Sequence, residues 1–211
     1  NRNPNCELCG LCNEAKTVCL WGHGDTSLRL MAIGEAPGEQ EDRSGKPFQG
    51  RSGTVIRQEL AKHGLEDIYI TNVVKCRPPN NRKPEPAEVK ACSGYLKDEI
   101  ERINPTHVLL LGASALKAVL RVNKSTEMNG QLVTGKDGRT YVPCFHPAAL
   151  FRDPSKTWHF NSAIKRFADS VNGVSTIIDP EEFDYKIVQK GTLDHFLDEF
   201  SRYVKMSFDV E

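Results

Sequence analysis

Residues 106–113, with the sequence THVLLLGA, decide the fold of this chain. A run of four apolar residues, Val108 to Leu111, stands between a polar start and a Gly-Ala end, which is the pattern of a short buried strand. Three other stretches have the same strand-like character: 28–36 (LRLMAIGEA), 67–75 (DIYITNVVK) and 139–146 (RTYVPCFH). Strands this apolar are typical of a parallel sheet that helices cover on both faces.

Helix-like segments lie between these strands. Residues 52–63 begin at Ser52, a good N-cap residue, and end at Gly64, while residues 86–103 begin with proline. Residues 156–171 carry apolar side chains at helical spacing. Strands that alternate with helices predict an α/β fold, here a three-layer α/β/α sandwich with a central, mainly parallel four-stranded sheet.

Composition and charge narrow the class of protein. The chain has 211 residues, of which 38% are hydrophobic, and this is typical of a soluble globular protein. Lys and Arg number 28 and so do Asp and Glu, so any contact with a nucleic acid must be local. The apolar runs are far shorter than the ~20 residues of a membrane span, and no secretion signal begins the chain. A cytoplasmic location is expected.

Seven cysteines are an odd number for a chain without a secretion signal, which favours metal ligation or free thiols over disulfides. Cys6 and Cys9 form a C-x2-C pair, and Cys76 and Cys92 are separated by fifteen residues. Four thiolates from two distant segments can close one site. That site suits either a [4Fe–4S] cluster or a structural zinc ion, and the spacing does not decide between them.

A local cysteine site is the alternative. The spacing C-x2-C-x2-C at the N-terminus resembles the start of a bacterial ferredoxin motif, so Cys12 and Cys19 could join Cys6 and Cys9. A ferredoxin-like electron-transfer module that uses the cluster is a separate alternative function. In the two-segment arrangement, by contrast, Cys12, Cys19 and Cys144 are ordinary thiols.

The segments that follow the predicted strands are where an open α/β sheet binds its ligands. Residues 34–50 (GEAPGEQEDRSGKPFQG), 70–86 (ITNVVKCRPPNNRKPEP) and 146–152 (HPAALFR) closely resemble the iron–sulfur, or family 4, uracil-DNA glycosylases. The resemblance extends from residue 6 to about residue 170. It implies a uracil-DNA glycosylase-like domain over residues 1–172, which flips uracil out of DNA and hydrolyses its N-glycosidic bond.

The same resemblance implies the cofactor and the base pocket. By this similarity a [4Fe–4S] cluster is held by Cys6, Cys9, Cys76 and Cys92. Phe48 is the aromatic floor on which the uracil stacks. Asn72 matches the N3–H donor and O4 acceptor of uracil, and Gly34 and Ala36 complete the pocket.

The expected catalytic residues follow from the charge that bond cleavage creates. His146 resembles the donor to uracil O2, where negative charge develops. Glu41 is the candidate for orienting water or stabilising the sugar cation, with Glu35 and Asp42 as competitors.

Contacts with DNA are expected from three groups of residues. The backbone amides of 34–38 and the turn at Gly50, Ser52 and Gly53 suit phosphates. Leu150, Phe151 and Arg152 resemble the wedge that fills the vacated stack. Further phosphate contacts are expected from the basic residues Lys75, Arg77, Arg82 and Lys83. Ala148 stands where many relatives have serine, which predicts a weaker hold on DNA.

The end of the chain suggests a second domain. Residues 173–182 are a linker by composition, and residues 183–211 resemble the opening of the 3′–5′ exonuclease domain of family A DNA polymerases. Asp209 and Glu211 match its first D-x-E metal-binding motif. This implies a monomeric, DNA-binding fragment of a phage-like polymerase, in a bacterial or phage-infected cytoplasm. The alternative function is a catalytically weak or inactive domain that binds uracil or template DNA for the polymerase.

Overall fold

The structure, a computed structural model, describes residues 3–174. The segment predicted to open an exonuclease-like domain, with Asp209 and Glu211, lies outside the described residues. The strands are β1 Leu30–Gly34, β2 Tyr69–Asn72, β3 His107–Leu111, β4 Val133–Thr134 and β5 Thr140–Cys144. The α-helices are α1 Glu39–Ser44, α2 Arg51–Ala61, α3 Pro86–Ile103, α4 Gly112–Leu120, α5 Pro147–Leu150 and α6 Lys156–Val171. Gly10–Asn13 and Pro79–Asn81 are 3₁₀ turns.

The strands form one sheet in the order β2-β1-β3-β5-β4. β1 pairs in parallel with β2 and β3, and β3 pairs in parallel with β5. This confirms the predicted α/β fold with its four parallel strands. β4 adds a short antiparallel edge that the sequence did not reveal, because its two residues are too few to carry a pattern.

The sheet separates two hydrophobic cores, and consecutive strand residues point to alternate cores. In β1, Leu30 and Ala32 pack with α2 and α6, whereas Met31 and Ile33 pack with α3 and α4. All five residues of β1 are buried. Burial on both faces explains why the strands are almost purely apolar in sequence.

Helix α3 begins and ends as its sequence predicts. Pro86 occupies the first helical position, and the Glu88 carboxylate accepts the backbone N–H of Glu85 at 2.7 Å, closing a capping box. Asn104 ends the helix in a left-handed conformation with φ 46°. No helix within residues 3–174 combines the length and the apolar character needed to cross a membrane.

Helix α4 follows β3 with no loop between them. The chain turns at Gly112, whose φ is +87°, and a Cβ at this position would lie 3.0 Å from the Cβ of His146. Glycine meets both conditions, since it tolerates the conformation and leaves room for the neighbour. The turn brings the start of α4 beside the end of β5, where the predicted site residues lie.

Candidate active site

A cleft of about 1050 Å³ opens at the carboxyl ends of the four parallel strands. It is lined by nine of the predicted site residues: Glu35, Ala36, Glu41, Phe48, Gly50, Ser52, Asn72, His146 and Arg152. A second groove of about 1040 Å³ lies between α3 and α4, and none of these nine residues lines it. The first cleft is therefore the candidate active site.

His146 follows β5 and caps the short helix α5. Its Nδ1 accepts the backbone N–H of Ala148 at 3.2 Å, so the proton of a neutral ring is on Nε2. Burial lowers the pKa of His146; Glu35 and Glu41 oppose this shift, and Arg152 adds to it. Nε2 has no hydrogen-bond partner among residues 3–174. His146 is thus a neutral donor available to a ligand in the cleft.

Asn72 is the last residue of β2, and only 3% of its surface is exposed. Its backbone oxygen accepts a hydrogen bond from Lys75 Nζ at 2.7 Å. Within the described residues its side-chain amide makes no hydrogen bond, although it lines the cleft. The Asn72 amide is therefore free to bind a ligand in the cleft.

Gly34 lies opposite Asn72 in the sheet and does not itself line the cleft. A Cβ at Gly34 would lie 2.6 Å from Asn72 Oδ1 and 2.5 Å from Phe48 Cζ. The missing side chain therefore lets the amide of Asn72 and the ring of Phe48 approach the same point.

Phe48 is held by a tight loop. Its φ is +54°, and a Cβ on Gly53 would lie 1.9 Å from the Phe48 carbonyl oxygen. The loop can therefore press against the start of α2 only because residue 53 is glycine. The Phe48 ring is buried in the core and also lines the cleft, as a floor for a flat ligand requires.

The carboxylate of Glu41 organises this loop. It accepts the backbone N–H groups of Gly38 at 3.0 Å, Gln49 at 2.7 Å and Gly50 at 2.8 Å. Both oxygens are thus used within the protein, and the Gly50 amide that was expected to bind phosphate is already occupied. The free amides at the start of α2 come after Gly50, at residues that include Ser52.

Asp42 and Glu35, the alternative candidates to Glu41, differ in the hydrogen bonds that their carboxylates make. Asp42 accepts the backbone N–H groups of Lys16 at 3.1 Å and Thr17 at 2.8 Å, so it anchors the N-terminal segment. Glu35 accepts a hydrogen bond from the Ser114 hydroxyl on Oε2 and leaves Oε1 without a partner among the described residues. Of the three acids, Glu35 has the most accessible carboxylate in the cleft.

Comparison of the sequence with known proteins identifies a family. A family model described as the uracil DNA glycosylase superfamily matches residues 21–168. The chain belongs to this superfamily. Over 158 residues it is 41% identical to the type-4 uracil-DNA glycosylase of Thermotoga maritima, covering 73% of this chain and 82% of that protein. The type-4 enzyme of Pyrobaculum aerophilum is 35% identical over 188 residues, covering 84% and 94%.

One of the proteins similar to this chain is a DNA polymerase. The DNA polymerase of Bacillus phage SP01 is 29% identical over 188 residues, which cover 88% of this chain and 20% of that protein. The similarity thus extends over most of this chain but only a fifth of the polymerase.

Of the four predicted ligand cysteines, Cys76 follows β2, Cys92 lies on α3, and Cys6 and Cys9 lie on the N-terminal segment. Cys6, Cys76 and Cys92 are buried, and Cys9 is half-buried. The pKa of Cys76 is raised to about 11, first by burial and then by Cys9, Cys19 and Cys6. The pKa of Cys92 is raised to about 12, first by burial and then by Cys9 and Cys76. Cys9 thus acts on the pKa of both Cys76 and Cys92.

The remaining cysteines behave differently from the four. The Cys12 thiol donates to the Cys9 carbonyl at 3.1 Å and is partly exposed. Cys19 is fully buried, and its backbone N–H donates to Cys76 Sγ at 3.3 Å. Cys19 is therefore a buried residue that packs beside Cys76.

The expected phosphate-binding residues need revision. Lys75 is fully buried and bonds to Glu99, so it cannot reach a phosphate, and that prediction was wrong. Arg77 bonds to Asn81, and Arg82 forms a two-pronged ion pair with Glu88. Among these four basic residues only Lys83 has its charged group unpaired within residues 3–174.

The structure also changes which residue could act as the DNA wedge. Leu150 packs in the core with 9% exposure, whereas 43% of Phe151 is exposed. A wedge needs an exposed apolar side chain, and in this structure Phe151 meets that condition and Leu150 does not. The guanidinium of Arg51 stacks 4.4 Å from the Phe151 ring.

Several cleft residues were missed by the sequence analysis. Ser114 bonds to Glu35 from the first turn of α4, and Phe145 and Lys156 also line the cleft. The signal for Ser114 was its place just after a strand. Thr126 and Ser125 also line the cleft, from a connection without a regular pattern.

A buried ion network lies directly beneath the cleft. Lys75 Nζ donates to Thr71 Oγ1 at 2.8 Å and to a carboxylate oxygen of Glu99. Glu99 also accepts from the Tyr69 hydroxyl at 2.9 Å and the Gly22 backbone N–H at 2.8 Å. Burial lowers the pKa of Lys75, and Glu99 opposes that shift. Both charged groups are fully buried, so each depends on the other for compensation.

Replacing Lys75 with methionine should lower the free energy of unfolding by about 3–5 kcal/mol, because it leaves the Glu99 charge buried and unpaired. Lys97→Met is the matched control, since Lys97 forms an exposed pair with Glu101, and the change there should be below about 1 kcal/mol. Denaturant unfolding of the two variants measures the difference. Equal losses would mean that the Lys75–Glu99 pair is not a special stabilising element.

Proposed function

We propose that this chain is a uracil-DNA glycosylase, which binds a uracil flipped out of DNA and hydrolyses the bond between uracil N1 and the sugar C1′. One observation carries the proposal. A partner-free amide (Asn72), an aromatic floor (Phe48) and a neutral imidazole with a free Nε2–H (His146) face one cleft. This is the set of groups that a pyrimidine with one donor and two acceptors requires.

Base selection is assigned to Asn72. Its amide offers one acceptor and one donor, which match the N3–H and O4 of uracil. Cytosine presents the opposite pair of groups at these positions. Because Asn72 is almost buried, a mismatched base would leave polar groups unpaired, and this penalty gives discrimination.

Bond cleavage is assigned to His146 and Glu35. The C1′–N1 bond breaks with its electron pair leaving on the uracil, and the Nε2–H of His146 stabilises the charge at O2. Water then adds to C1′ and gives up a proton, for which the free Oε1 of Glu35 is the acceptor in the cleft. Glu41 acts indirectly, by holding the loop that carries Phe48.

Four cysteines would hold a [4Fe–4S] cluster: Cys6, Cys9, Cys76 and Cys92. These thiols come from two segments of the chain, and three of them are buried, which suits a site of four thiolates. The resemblance to the type-4 uracil-DNA glycosylases supports a cluster over a structural zinc ion. The cluster would supply a covalent tie between the N-terminal segment and the β2–α3 region.

We also propose that this domain precedes a DNA polymerase in a longer chain. The similarity to the phage SP01 polymerase and the sequence of residues 183–211 support this. The polymerase link favours a second candidate function, a domain that binds uracil or template DNA without cutting it. The two functions differ in one measurable result, the release of free uracil.

Anaerobically purified protein should contain about four irons per chain, because four cysteines ligate a [4Fe–4S] cluster. Cys92→Ser should lose the iron and unfold at lower temperature. Cys12→Ser is the matched control and should retain both. Stoichiometric zinc without iron would contradict the cluster, and loss of iron in Cys12→Ser would favour the local cysteine site.

Asn72→Asp should reduce uracil excision and relax discrimination against cytosine, since a carboxylate no longer donates to O4. Single-turnover rates on matched uracil- and cytosine-containing oligonucleotides give the ratio. Ser52→Ala, at the rim of the same cleft, is a control in which the uracil-to-cytosine ratio should not change. An unchanged ratio in Asn72→Asp would remove Asn72 from base recognition.

His146→Ala should slow single-turnover cleavage by about 10²–10³-fold, the loss expected for one oxyanion donor, with little change in the affinity for uracil-DNA. The wild-type rate should show no inflection at pH 6.5, the ordinary pKa of histidine, because burial lowers the pKa of His146. A His146→Ala rate equal to wild type would remove this donor role. If wild-type protein with an intact cluster releases no uracil, the glycosylase proposal fails and the binding-domain function replaces it.

A further inference from the structure

Trp158 is the most exposed large hydrophobic residue within residues 3–174, with 71% of its surface accessible. Tryptophan is highly buried on average, so an indole held in solvent calls for an explanation. Trp158 lies in the first turn of α6, two residues after Lys156, which lines the cleft. Because Trp158 lies next to the candidate active site, its exposed ring is in position to contact a ligand that extends out of the cleft.

An ordered row of rings connects Trp158 with the cleft. The ring of Trp158 lies 5.1 Å from that of His159, and His159 lies 6.4 Å from Phe145, both edge to face. Phe145 lines the cleft. We call Phe145, His159 and Trp158 the aromatic track.

The backbone beneath the aromatic track is fixed by one side chain. Asn129 Oδ1 accepts the backbone N–H of Phe145 at 2.8 Å, and its Nδ2 donates to the His159 carbonyl at 3.0 Å. The track therefore joins two separate segments through defined hydrogen bonds. It is a built surface and not a chance grouping of surface rings.

Positive charge accompanies the aromatic track. Arg152 lines the cleft and has no acidic partner among the described residues. Lys156 lies 5.7 Å from the Phe145 ring centre and pairs with Asp153 at 3.0 Å. Rings interleaved with cations suit a strand whose bases stack while its phosphates are neutralised. The formal net charge of the whole chain is zero, so attraction for a polyanion must come from local groups such as these.

We propose that the aromatic track binds the single-stranded DNA that leaves the cleft, with an unpaired base stacked on Trp158. The site extends the proposed glycosylase function, on which it rests, from the flipped nucleotide to its neighbours. A single strand is favoured over a duplex, because paired bases do not offer their faces to a side chain. The charge beside the rings favours a polyanion over an apolar protein surface.

The experiment measures the affinity of intact protein for a thymine-only oligonucleotide, which contains no uracil to excise, and for a duplex of the same sequence. Trp158→Ala should weaken single-strand binding by about 5- to 100-fold and leave duplex binding unchanged, as loss of one stacked base predicts. Trp158→Phe should retain most of the affinity, because any aromatic face can stack. Leu28→Ala is the matched control, since Leu28 is also exposed but precedes β1, at the opposite end of the sheet.

Each outcome bears on the proposal. Equal affinity of Trp158→Ala and wild type for single strands would overturn it, and so would an equal loss on duplex DNA. A Trp158→Phe variant as weak as Trp158→Ala would overturn base stacking on this residue, because any aromatic face should support it. Uracil release by wild type is measured separately, so failure of the glycosylase function is distinguished from failure of the aromatic track.

Discussion

The buried Lys75–Glu99 pair is the interaction on which the architecture of the site depends. Glu99 on α3 accepts hydrogen bonds from β2 and from the N-terminal segment, and Lys75 donates to the carbonyl of Asn72. Neither charge reaches water, so each position is fixed by the other. The same network lies next to Cys76 and Cys92, since Lys75 precedes one and its backbone bonds to the other. Base pocket and cysteine cluster therefore share one rigid support.

The main features of the fold could be predicted because they rest on local patterns. The four parallel strands are short apolar runs, and α3 and α6 have the predicted bounds of 86–103 and 156–171. Helix α4 was missed because it follows β3 without a loop, and Gly112 was interpreted as the end of a strand. That glycine instead makes the strand-to-helix turn at a positive φ, a property that only the three-dimensional arrangement reveals.

The predicted cleft residues converge, but the sequence could not assign their partners. A lysine in a basic segment is usually solvated, and nothing local shows that Lys75 meets Glu99 from a helix 24 residues away. In the same way, Glu41 in an acidic loop resembles a catalytic acid, and the three amides that occupy it come from both ends of that loop. Residue type is visible in a sequence, whereas saturation of its hydrogen bonds depends on tertiary structure.

Ala148 shows how backbone groups can carry a functional arrangement. The absent serine hydroxyl removes a group that could bind phosphate, which predicted a weaker hold on DNA. Its backbone N–H, however, donates to His146 Nδ1 and thereby leaves the ring proton on Nε2. Any residue other than proline supplies that N–H, so the substitution does not disturb the histidine tautomer. Weaker phosphate binding at residue 148 is thus compatible with an intact O2 donor, and affinity for DNA can vary separately from the chemistry in the cleft.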